Sequence, residues 1–182
     1  MDVIRPALSV ADLAQLPDDG KRYEILEGAL VVSPSPRPKH QRIVLNCVEF
    51  LRVAERRGYG QVYVAPLDVV LDDLNVTEPD VLFVRSERLE IVRESNVQGA
   101  PDLIIEVLSP STRERDRGLK AHLYAQYGVF EYWIADPDTE TLSVYRLTPE
   151  GFVRSGPYHA GDTVTSPLFA DVPLAVTDLF TP

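Results

Sequence analysis

Hydrophobic positions along the chain change period several times, and each change marks an element. Ser9-Val10-Ala11-Asp12 has the form of a capping box opening a short helix to about Leu16. Tyr23 to Leu26 and Ala29 to Val32 flank Glu27-Gly28 as a hairpin, and Pro34, Pro36 and Pro38 then hold the chain in a loop or extended segment. From Lys39 to Arg57 the apolar residues Ile43, Val44, Cys47, Val48, Leu51 and Ala54 fall at helical spacing, with Gly58 as the stop. Val62 to Ala65, Asp68 to Leu71 and Asp80 to Val84 predict strands, the first two bent apart at Pro66.

The run Leu103-Ile104-Ile105-Glu106-Val107-Leu108 differs from all of these. It is apolar on both faces, which predicts a central strand covered on both sides, and it carries a single carboxylate. Ser111-Thr112-Arg113-Glu114 predicts a capped helix ending near Tyr127, with Gly128 as its stop. Phe130 to Ala135 and Thr141 to Leu147 predict strands, Phe152 to Ser155 a third, and the tail from Gly161 strands or coil with a short end at Leu179-Phe180. The order of elements predicts a mixed α/β or α+β single sheet within one domain spanning residues 1–182.

Composition narrows the function classes. The 182 residues are 45% hydrophobic and 25% charged, ordinary for a soluble globular chain. No apolar run approaches the roughly 20 residues of a membrane span, and Met1 to Pro6 lacks the layout of a signal peptide. A single cysteine, Cys47, rules out an internal disulfide and a cysteine-built zinc site, so a cytoplasmic setting is expected. The net charge of −10 works against a broad nucleic-acid surface, although cations can be concentrated locally and a metal site needs acids of its own.

A buried carboxylate needs a partner. Asp102 is four strand residues from Glu106, roughly 13 Å away, too far to share an ion, whereas neighbouring strands bring side chains within about 5 Å. Asp80, at the start of Val81-Leu82-Phe83-Val84, is the best candidate. Two such acids with a backbone carbonyl suit Mg²⁺ or Mn²⁺. The alternative is that Asp80 caps a turn and Glu106 pairs with an arginine. In the helix after Ser111, Asp116, Lys120 and Tyr124 share one face, so Lys120 can fold back over the strand to stabilise charge on a phosphate or position water. Its alternative is a surface pair with Asp116.

Nearly the whole chain, from about residue 20 to 150, resembles the Uma2 (DUF820) family, restriction-endonuclease-like proteins of the PD-(D/E)xK superfamily. The resemblance rests on Tyr23 to Gly28, His40-Gln41-Arg42, Ala65 to Val69, Pro79-Asp80-Val81 and Gly99 to Thr112. It continues through Asp116-Arg117-Gly118, Lys120, Tyr124, Gly128-Val129 and Glu131 to Pro137. It implies a restriction-endonuclease-like mixed β-sheet flanked by helices, with an N-terminal hairpin and a C-terminal strand meander. It further implies a metal-dependent DNA endonuclease, with Asp80, Glu106 and the Val107 carbonyl as metal ligands. The chain departs from the superfamily pattern at Leu108, where a lysine would stand, and Lys120 is the substitute.

Around this core, His40 is expected to orient a phosphate or water, or else simply to pack. Arg113 and Arg117, with Arg115 and Arg42, are expected to contact phosphate, or to form a solvated face. Glu24 either approaches the metal from the hairpin or is solvated. A homodimer acting on DNA is the leading expectation. The competing ones are a nuclease-fold module that only binds nucleic acid or protein, and a structural dimer subunit of a larger assembly.

Overall fold

The computed structural model describes residues 7–17 and 19–181, so the hexapeptide Met1 to Pro6 lies outside the described residues. The elements in order are α1 (Val10–Leu13), β1 (Arg22–Leu26), β2 (Ala29–Ser33), α2 (Pro38–Arg56), β3 (Gly60–Val64), β4 (Val69–Asp72), β5 (Asn75–Thr77), β6 (Val81–Arg85), β7 (Val97–Gln98), β8 (Leu103–Val107), α3 (Arg113–Arg115), α4 (Ala121–Tyr127), β9 (Glu131–Asp136), β10 (Thr141–Thr148), β11 (Gly151–Tyr158), β12 (Thr163–Val164), β13 (Leu174–Ala175) and α5 (Val176–Phe180). No helix among the described residues is long and apolar enough to cross a membrane.

The Glu106 run is strand β8, buried at all five positions. It lies inside a six-stranded mixed sheet of order β11-β10-β9-β8-β6-β3, antiparallel to β6 and parallel to β9. Side chains alternate across a strand. Leu103, Ile105 and Val107 therefore join the apolar layer built with Ile43, Cys47, Leu51 and Ala54 of α2. Ile104 faces the other way, into the layer with Leu82, Tyr124 and Tyr132, and Glu106 shares that face. The two-sided burial that the sequence predicts thus has a helix behind each face.

The single sheet predicted from the order of elements is in fact two principal sheets. A second, five-stranded sheet has the order β2-β1-β5-β4-β7. After β3 the chain turns at Ala65-Pro66, and β4 pairs with β5 rather than returning to β6; β5 in turn pairs with β1. Strands β5 and β7 are three and two residues long, too short for a periodic signal, and so the sequence did not announce them. The N-terminal hairpin is thereby drawn beside the start of β6, where Asp80 stands.

Two capping expectations part company. The Ser9–Asp12 box forms, with both the Ser9 backbone N–H and its hydroxyl donating to the Asp12 carboxylate, although α1 is only four residues long. The Ser111 box does not: the helical segment starts at Arg113, after Thr112, with no side-chain cap. The helix expected to run unbroken to Tyr127 is interrupted by a π turn at Asp116–Lys120. The Tyr132 hydroxyl donates to the Asp116 carbonyl within that turn at 3.0 Å. Gly128 ends α4 in the left-handed conformation, as its lack of a Cβ allows.

Candidate active site

Strand β6 fixes the geometry of the acids. Val81 is registered opposite Ile105, so Asp80, one residue earlier, falls opposite Glu106. The Val107 N–H donates to Asp80 Oδ2 at 2.9 Å, and the Asp80 N–H reaches Glu106 Oε2 at 3.4 Å. Because N–H and C=O of one residue lie on the same edge of a strand, the Val107 carbonyl also faces the Asp80 side. Both acids are buried. The sequence-based pairing across the sheet is what the register delivers. Asp102 sits at the other end of β8, held by Arg85 and Arg88.

Lys120 comes from the π turn and is almost wholly buried, at 2% exposure. Its ammonium lies 2.8 Å from Glu106 Oε1, 2.7 Å from Glu24 Oε1 and 3.9 Å from Asp116 Oδ1. The Tyr124 hydroxyl donates to the same Glu106 oxygen at 3.1 Å. The lysine therefore reaches the position over β8 that its helical face predicts. Glu24 is not solvated: strand β1 buries it, and the Glu78 N–H donates to it at 3.0 Å.

Asp80 has its own nitrogen partners. Arg22 Nη1 donates to Oδ1 at 2.9 Å, and His40 Nε2 lies 3.1 Å from Oδ2. Arg22 also bonds the Glu78 carbonyl and, through Nε, the Glu78 carboxylate. Arg22 was not singled out by the sequence. The available signal was the pattern Arg22-x-Glu24, which puts both charges on one face of a strand with apolar neighbours. Arg115 also borders the site, its guanidinium donating to Ser33 Oγ at 3.1 Å. Arg113 and Arg117, expected at the phosphate, are elsewhere: both clamp Asp136 at the end of β9, at 2.6 and 2.9 Å. Neither borders the cleft.

Electrostatics follows from this crowding. Burial, opposed by Lys120 and reinforced by Asp80, Asp116 and Glu24, pushes the Glu106 carboxyl up to about 8. Burial works against ionisation of Asp80 too. There the His40 hydrogen bond, with the charges of His40 and Arg22, outweighs it and holds the carboxyl down at about 2. Burial would strip Lys120 of its proton, but Glu106, Glu24 and Asp116 overcome that and raise its pKa. The four acids and their cations line a cleft of about 340 Å³ walled by Ser33–Arg37 and Ser109–Thr112.

The donor set suits a hard divalent cation. Asp80 and Glu106 offer carboxylate oxygens on adjacent strands with a carbonyl beside them. The buried Glu24 Oε2 and Asp116 Oδ1 have no hydrogen-bond partner. Among the described residues no group of three or more His, Cys, Asp or Glu side chains forms a ready-made cage. An ion here would thus draw on two carboxylates, the backbone and water, which is how Mg²⁺ is commonly bound.

Comparison with known proteins agrees with this fold. The chain superposes on the crystal structure of "a putative nuclease belonging to DUF820" from Anabaena variabilis ATCC 29413. The TM-score is 0.79 and the identity 25%, over 95% of this chain and 97% of the other. No curated protein matches. The family model described as "Uma2: Putative restriction endonuclease" matches residues 10–177, and the chain belongs to that family.

Proposed function

We propose that the protein is a divalent-metal-dependent endonuclease that hydrolyses phosphodiester bonds in DNA, with Mg²⁺ or Mn²⁺ held by Asp80, Glu106 and the Val107 carbonyl. The observation that carries this reading is the placement of two buried carboxylates opposite one another on adjacent strands, with a buried lysine on one of them. Two acids so close repel each other, and a cation between them offsets that repulsion. Bound there, the ion would supply Lewis acidity to the phosphate and an activated water. Lys120, fixed by Glu24 and Glu106, presents positive charge where the pentavalent phosphate becomes more negative. His40 and Arg22, both on Asp80, keep that carboxylate ionised and oriented.

Purified protein with Mg²⁺ or Mn²⁺ is expected to cleave DNA, and Glu106→Ala to abolish the cleavage. Cleavage that survives the substitution contradicts the assignment. A second reading, a nuclease-fold module that binds nucleic acid or protein without cutting, is favoured by one observation: Arg22, His40 and Lys120 already occupy the acids. If calorimetry detects no binding of Mg²⁺ or Mn²⁺, that second reading replaces the first. A cytoplasmic homodimer belongs to the same proposal, and sizing the purified chain tests its dimeric part.

A further inference from the structure

Two hollows meet at Asp80. One, of about 340 Å³, extends over Glu106 and Lys120 to Arg115. The other, of about 430 Å³, extends past Lys21, Gln41 and Ala65-Pro66. Arg22, His40, Asp80 and the segment Ser33–Pro36 border both. Asp80 therefore borders two adjoining hollows, which we take as the two arms of one groove. A chain-like substrate can continue past the scissile bond in both directions.

The charge of the groove limits what that chain can be. A protein that grips a duplex through about 6–10 phosphates sets lysines and arginines against them. Five such side chains border the two arms. Arg22 and Lys120 are held by internal acids. Of the other three, Lys21 forms an exposed pair with Asp19, and Arg115 is 3.8 Å from Glu24. Arg37 is exposed and has no ionic partner among the described residues. Outside the groove, Arg113 and Arg117 are committed to Asp136, and the net charge of −10 repels further phosphates. Among the described residues no Phe, Tyr or Trp borders either arm, so bases have no aromatic shelf on which to stack.

Building on the endonuclease reading, we infer that the substrate is a single, unpaired nucleic-acid strand, gripped by its backbone at no more than three phosphates and cut internally without regard to base sequence. Lys21, Arg37 and Arg115 are the contacts. Three phosphates on a single strand correspond to a log–log salt slope of about −2, whereas 6–10 on a duplex give roughly −5 to −9.

The test is fluorescence anisotropy of the metal-free wild-type chain across a salt series. The probes are one labelled sequence as single-stranded DNA, as single-stranded RNA and as duplex DNA. Either single strand is expected to bind more tightly than the duplex, with a slope near −2, and the tighter of the two names the polymer. Arg37→Ala is expected to make that slope shallower by about 0.7. Duplex binding as tight as single-strand binding, a slope of about −5 or steeper, or no single-strand binding overturns the inference. With Mn²⁺ added, circular single-stranded DNA should be opened. If duplex alone is cut, the endonuclease reading survives and the inference fails. If single strands bind as described but none is cut, the endonuclease reading fails, and the internal cut with it.

Discussion

Lys120 shows how much of the site depends on one side chain. Its ammonium lies within 2.8 Å of both Glu24 and Glu106, inside a site from which water is largely excluded. Removing one partner of a buried ion pair leaves uncompensated charge, which typically costs about 3–5 kcal/mol. Lys120→Met should therefore destabilise the protein by about that amount in chemical denaturation, as well as silence any cleavage. An unchanged unfolding midpoint would show that Glu24 and Glu106 do not depend on it. The sequence made Asp80, Glu106 and Lys120 legible because each is an exception to a local pattern: an acid in an aliphatic run, an acid opening an apolar strand, a cation beside a helical stripe. Arg22 and Glu24 were harder, since their position follows from β1 pairing with the three-residue strand β5, a non-local contact with no periodic signature. Arg113 and Arg117 have the right charge but the wrong neighbour, because the parallel register of β9 on β8 brings Asp136 beneath them.

Among the elements, two glycines illustrate opposite constraints. A Cβ on Gly60 in β3 would lie 2.1 Å from the Val84 carbonyl oxygen and 2.8 Å from the Phe83 ring. Gly118, in the π turn, has open space around it and no left-handed backbone. Gly60→Ala is thus expected to destabilise by about 1–3 kcal/mol through overpacking. Gly118→Ala should be neutral or stabilising by about 0.4–1 kcal/mol, since it restricts the unfolded chain. Thermal melts of the two variants check the contrast. The Asp136 clamp gives a pH prediction. Burial raises the Asp136 carboxyl, but the hydrogen bond from Arg113 and the backbone N–H of Asp138 prevail and lower it below 3.8. An acid whose folded pKa is depressed contributes stability above its unfolded pKa and loses it as pH falls through the folded one. The stability gap between wild type and Arg113→Ala should therefore be full near neutrality and shrink below about pH 4. A gap independent of pH would show that Arg113 acts through packing alone.

Across the whole molecule, the central strand, its two helical covers and the mixed α+β class were all readable, because β8 is apolar on both faces and α2 carries its apolar stripe at helical spacing. The division into two sheets was not. It depends on the turn at Ala65-Pro66 and on strands too short to carry a pattern. That division matters for the site, since it is the second sheet that delivers Arg22 and Glu24 to the acids of the first. The acidic net charge, which argues against a broad nucleic-acid surface, accompanies a groove bordered by only five of the 18 lysines and arginines. The central claim is that Asp80 and Glu106 share a divalent ion. A crystal of the wild-type protein soaked in Mn²⁺, with anomalous diffraction recorded, tests it most directly. An anomalous peak in contact with both carboxylates and the Val107 carbonyl is the expected result; no peak at that position under saturating Mn²⁺ would contradict it.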